Sequence, residues 1–107
     1  EMMLIATTFN IPGREIRNTL GLVKGNTIRA RHVGRDIMAG LRGLVGGELH
    51  EYTKLLAESR EQAIDRMIED ARSLGANAIV GVSFTTSVMA QGAAELMAYG
   101  TAVILEE

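Results

Sequence analysis

The sequence predicts an α+β domain, a mostly antiparallel four-stranded sheet packed on two helices in the order β-β-α-α-β-β. Three observations lead there. Four segments carry the short, β-branched or alternating apolar pattern of strands. Two segments between the second and third of these place apolar residues at helical spacing. A chain of 107 residues has room for one core, so these elements share it as a single domain over residues 2–107. With 47% hydrophobic and only 4% aromatic residues, that core is aliphatic.

The first strand is expected over Met3 to Thr8, ended by Asn10-Ile11-Pro12-Gly13, a turn that holds the one proline. The second runs from Glu15 to Thr27. Ile16, Leu20 and Leu22 fall on one face, with Arg17, Thr19 and Val23 on the other. It should bend or bulge near Gly21 or Gly25, because glycine inside a strand marks a distortion or a close backbone approach. After a basic connector, Ile37, Met38, Leu41, Leu44 and Val45 make one apolar face of a helix that begins near Arg35-Asp36 and stops at Gly46-Gly47.

A longer helix is expected from Leu49 to Leu74, with Tyr52, Leu55, Leu56, Ala63, Ile64, Met67, Ile68, Ala71 and Leu74 on its apolar stripe. The opposite face carries Lys54 with Glu58 and Arg66 with Asp70 at i,i+4, pairs that support an exposed helix face by ~0.3 kcal/mol each. Gly75 supplies the stop. The third strand, Asn77 to Val88, alternates Val80, Val82, Phe84 and Val88 against Gly81, Ser83, Thr85 and Ser87. The fourth, Ala94 to Leu105, follows a turn at Gln91-Gly92 and is apolar on both faces. The helices of one chain cover one face of the sheet, which leaves outward positions such as Val103 to a second subunit. A mean hydropathy of +0.12, high for a chain with 22% charged residues, points the same way.

Eleven Lys and Arg against thirteen Asp and Glu give a net charge of −2, which argues against nucleic acid or an anionic membrane as partner. Zero cysteines exclude disulfides, a thiolate nucleophile and sulfur-based zinc sites, and fit a reducing cytoplasm, where the chain is placed by default. No apolar segment approaches the ~20 residues of a membrane helix.

The ordered set Gly21-Leu-Val-Lys-Gly25, Arg35-Asp36-Ile-Met-Ala39-Gly40-Leu-Arg42-Gly-Leu-Val45-Gly46-Gly47, Tyr52, Ala57-x-x-Arg60-x-x-Ala63, Leu74-Gly-Ala-Asn-Ala-Ile-Val-Gly-Val82 and Gly100-Thr-Ala-Val103 resembles the YbjQ family of small uncharacterised bacterial and archaeal proteins. The resemblance runs along nearly the whole chain. It implies a dodecin-like subunit topology and a homopentameric ring in which short strands join neighbours. It also brings a heavy-metal label, against which this chain departs from the family pattern: members can carry a cysteine just before the first glycine of Gly-x-Val-x-Gly, where Leu20 stands here. A thiolate-based site is therefore impossible in this chain.

Three kinds of site are open to these residues. A metal ion could use Glu48, His50 and Glu51 at the start of the long helix, with His32 as the other imidazole, although no two histidines stand at ligand spacing. The plain alternative is a polar turn whose carboxylates favour a helix N-terminus. An anion could use Arg29, Arg31, His32, Arg35 and Arg42, delivered close to a helix N-terminus with Asp36 beside them; equally, these arginines could pair with Asp36, with the glutamate-rich helix or with a neighbouring subunit. For catalysis no recognised motif is present, and a Ser or Thr nucleophile with His32 or His50 as base has no support in spacing. No cofactor is evident, and a heavy-metal ion enters only through the family label.

The expected function is thus a ring-forming homo-oligomeric binding or structural module, more a binder than an enzyme. The alternatives are a small-molecule, anion or metal-ion binder with sites at subunit interfaces, and an enzyme built across such an interface.

Overall fold

The computed structural model describes the backbone of residues 2–29, 48–88 and 94–107, and their side chains apart from those of 28, 29, 48–55, 88 and 94. Four strands and one helix are placed: β1 (Leu4–Ile5), β2 (Ile16–Arg29), α1 (Glu48–Ser73), β3 (Ala78–Val88) and β4 (Ala94–Leu105). The helix expected to begin near Arg35-Asp36 lies outside the described residues. The strand order is β1-β3-β4-β2, so the last strand in sequence is central.

The sheet is mixed, and mostly antiparallel. β4 runs antiparallel to both β2 and β3, but β1 pairs parallel with β3, Leu4 opposite Ala78 and Ile5 opposite Ile79. The first strand is also shorter than the apolar run over Met3 to Thr8 suggests. Beyond Ile5 the chain still bonds to β3, through Ala6 N–H to the Ile79 carbonyl and through the Thr8 and Ala6 carbonyls to the Gly81 and Val82 N–H groups. Those last two bonds meet a distortion in β3, so no regular ladder continues.

α1 packs on β2 and β4 through a stripe that repeats every fourth residue: Ser59, Ala63, Met67 and Ala71 are all buried. Opposite them lie Val23, Ile79, Ala98 and Ala102, all without exposed surface. Most of these side chains are small, and the helix comes close enough to touch main chain with main chain. A Cβ built on Gly25 would overlap the backbone of Ala63, Arg66 and Met67. Gly25 is thus the close approach expected at one of the two glycines of the strand. Gly21 is the bulge, with φ +121° at a register shift between Thr19 and Gly21. Leu56 and Leu74, expected on the apolar stripe, are 47% and 46% exposed.

Bulges also overturn two face assignments. In β2, register shifts between Ile16 and Asn18 and between Thr19 and Gly21 send Ile16 and Leu20 to opposite sides. Leu20 packs on the helix core and Ile16 on a second cluster behind the sheet. Leu22, expected on one face with Leu20, is 68% exposed, and its neighbour Val23 is buried. In β3 a shift between Val80 and Ser83, with Gly81 at φ +62°, separates Val80 from Val82. Val80 joins the second cluster while Val82 packs toward the helix. An extra residue reverses the facing of everything beyond it, and no periodicity count can see it.

The second cluster, Ala78, Val80, Val103 and Leu105, is sealed by Ile11 and Ile16 of the same chain. Val103 is only 1% exposed, so this part of the far face is covered without a second subunit. The seal is tied by side chain as well. Asn77 donates from Nδ2 to the Leu105 carbonyl (3.1 Å) and accepts from Leu105 N–H at Oδ1 (2.7 Å), standing in for one more residue of strand. Asn77 follows directly on the helix stop, in which Gly75 takes φ +85°. Gly75 and Ala76 N–H bond back to the carbonyls of Arg72 and Ala71, the two reversed bonds of a Schellman end.

Two substitutions test this packing. Gly25→Ala forces the helix off the sheet and should cost about 1–3 kcal/mol, read as a fall in Tm of roughly 5–15 °C by circular dichroism. Asn77→Asp keeps the shape but sets an oxygen against the Leu105 carbonyl. It should cost about 1–3 kcal/mol, and an unchanged Tm would refute the bridging role given to Asn77.

Candidate functional site

Backbone direction brings four of the candidate residues, Arg29, Glu48, His50 and Glu51, to one end of the described structure. β2 leaves the sheet at Arg29, whose main chain lies opposite Ala94. α1 enters at Glu48 and runs antiparallel to β2, because Asp70 meets Lys24 and Arg66 meets Asn26. Its 26 residues span on the order of 39 Å, so its first turns extend past the end of β2. Arg29 and the helix start, with Glu48, His50 and Glu51, therefore belong to the same end of the sheet. The side chains of these four residues, and all of Arg31, His32, Arg35, Asp36 and Arg42, lie outside the described residues.

Among the described residues, no three histidine, aspartate or glutamate side chains come together as a metal site would require. Several of the polar contacts that are present hold strands. Asn26 Nδ2 donates to Glu95 Oε2 at 2.9 Å across the β2–β4 pair. Arg14 Nε donates to the Glu106 carbonyl at 2.8 Å, while Arg17 and Glu106 form a loose, exposed ion pair at 3.8 Å of little energetic consequence. Leu20, at the position where the family resemblance would place a thiolate, is half-buried against the helix core.

Two features of the described surface escape a sequence reading. The first is that both phenylalanines of the chain stand outside the core, Phe9 at 76% and Phe84 at 42% exposure. Phe9 lies over Gly81, where an added Cβ would come within 2.7 Å of its ring. The second concerns Arg66 and Asp70. They do not form the i,i+4 pair that their spacing suggests. Asp70 Oδ2 accepts from the Lys24 N–H at 3.1 Å, and Arg66 Nη1 donates to the Asn26 carbonyl at 2.6 Å. Their only sequence signal is opposite charge at helical spacing, which any exposed helix face shares.

The comparisons with known proteins agree along the whole length. A family model described as "Putative heavy-metal-binding", YbjQ_1, matches residues 3–106. A UPF0145 protein of Methanosarcina acetivorans is 60% identical over 101 residues, covering 94% of this chain and 95% of that one. One of Archaeoglobus fulgidus is 56% identical over 103 residues, covering 96% and 95%. Among solved structures, a protein of unknown function of the DUF74 family from Pediococcus pentosaceus superposes with a TM-score of 0.64 over 97% of this chain and 98% of its own, at 18% identity; that likeness bears on the fold alone. With the family model and close relatives both spanning nearly all of its residues, the chain belongs to the YbjQ (UPF0145) family.

Proposed function

We propose that this chain is the subunit of a closed homo-oligomer, the homopentameric ring implied by the family resemblance, and that it serves as a binding or structural module rather than an enzyme. The observation that carries this reading is the placement of its exposed apolar side chains. In a chain with four aromatic residues, two Phe and two Tyr, both phenylalanines are exposed while the core is closed by aliphatic side chains and Met67. Phe84 lies opposite Ala98, on the helix side of β3. Leu22 lies opposite Thr101, on the far side of β2. These are unlike patches on opposite faces and on strands that flank β4. Contact between unlike surfaces is heterologous, and it closes into a ring where the rotation from one subunit to the next divides the circle.

A strand edge is available as well. From Ser83 to Val88, β3 pairs only with β4 among the described residues, and its outer N–H and C=O groups can accept a strand from a neighbour. Any ligand of such an assembly would sit at subunit boundaries near the Arg29–Arg42 segment, with the cytoplasm as its compartment.

A thiolate reading of the family's heavy-metal description does not fit the donors of this chain. With no cysteine, half-buried Leu20 in the Gly-x-Val-x-Gly segment and no group of three donors among the described residues, a soft-metal thiolate site cannot be assembled.

Native mass spectrometry should find five times the 11.5 kDa chain mass; a monodisperse monomer at micromolar concentration would sink the ring. Phe84→Glu, at a position already 42% exposed, should dissociate the assembly while far-ultraviolet circular dichroism stays unchanged. Elemental analysis of mildly purified protein should find less than one equivalent of any thiophilic metal per ring.

A further inference from the structure

We infer that Asp70 and Arg66 form a lock on the outer edge of β2, occupying two of the main-chain groups by which another strand, and in particular a second copy of this chain, would add there. Among the described residues β2 is an edge strand, 14 residues long, a length that makes an open edge a ready template for pairing. From Gly21 to Arg29 it pairs with β4 in unbroken register, so successive residues alternate between facing β4 and facing outward. The Lys24 N–H reaches Asp70 rather than β4, which fixes Leu22, Lys24 and Asn26 as the outward set. The next outward carbonyl, that of Asn26, is taken by Arg66. One carboxylate and one guanidinium, four residues apart on the helix, thus supply the acceptor and the donor that a neighbouring strand would offer.

The two bonds flank Gly25, where the helix backbone rests on the strand. That contact brings side chains from a helix on the sheet face around to the sheet edge. It also separates the two edges of the molecule in kind. On the β2 side a partner can meet the Leu22 side chain but not the main chain at Lys24 and Asn26, whereas on the β3 side the main chain from Ser83 to Val88 has no such cover among the described residues. The lock does not depend on the ring, since it would block strand addition to a monomer as well.

Amide hydrogen exchange reads the lock directly. In the wild-type protein the Lys24 amide should be protected, and Asp70→Ala should speed its exchange roughly 10-fold or more while Val23 and Gly25, which face β4, stay as they were. Asp70→Asn keeps an acceptor oxygen and should restore most of the protection. The double variant Arg66→Met, Asp70→Ala should add species larger than the wild-type particle, growing with concentration in sedimentation velocity, whatever the size of that particle. A Lys24 amide that exchanges at the unprotected rate in wild type, or that ignores Asp70→Ala, overturns the lock. So does a folded double variant with the wild-type size distribution. Should the double variant fail to fold, the exchange of the single variants decides. Dissociation of the ring by Phe84→Glu with Lys24 protection intact would separate the two ideas.

Discussion

The arrangement of this domain depends on one contact, the seating of the α1 backbone on Gly25. A helix usually stands off a sheet by the thickness of two layers of side chains. Here the facing positions are Gly25, Ala98, Gly100 and Ala102 on the sheet and Ser59, Ala63 and Ala71 on the helix, each buried, and the layers nearly merge. Packing at that distance gains dispersion contacts from main chain as well as side chain. It tolerates little change of volume on either side. Met67, with its unbranched thioether, is the one large side chain admitted to the stripe and fills what irregularity is left.

Because the helix is held so near an edge strand, its charged flank is not simply a solvated surface. Arg66 and Asp70 lie one turn apart on the side of the helix that overlooks the rim of the sheet, and their charged ends meet main-chain groups of Lys24 and Asn26. Charge-assisted bonds of this kind are stronger than their neutral counterparts, and they lie where an aliphatic side chain would invite association. The pattern of apolar exposure then follows. Leu22 projects from the protected rim, Phe84 from the opposite strand, and Phe9 lies across the kink at Gly81.

Much of this was legible in the sequence, and the parts that were not have a common cause. The long helix falls within one residue of its expected ends, because a 3.6-residue period sustained over 26 residues and a glycine stop leave little freedom. The family and the strand count were equally readable. What failed was facing. Leu20, Leu22, Val80 and Val82 were assigned by alternation, and register shifts, two in β2 and one in β3, inverted the sides. The parallel pairing of β1 was hidden as well, since two residues carry no direction in their periodicity. At the site, Arg29, Glu48, His50 and Glu51 belong by backbone to the end of the sheet where the chain leaves β2 and enters α1. The pairing of Asp70 with a strand amide is decided by distance across the fold, which spacing along the helix does not encode.

The position of β4 has a consequence for how the chain comes into being. The strand that sits between β2 and β3 is the last to be synthesised. Until residues 94–105 leave the ribosome, β2 lacks its neighbour β4 and α1 has no completed surface to lie on. The contacts that close the fold join residues separated by most of the chain, Glu106 N–H with the Glu15 carbonyl among them, and such distant pairings slow folding through the entropy of loop closure. During that interval β2, a long strand of mixed polar and apolar residues, lacks β4 on one rim and the docked helix on the other. The growing helix carries the means to shield one of them, but that shield forms only when helix and strand are already docked.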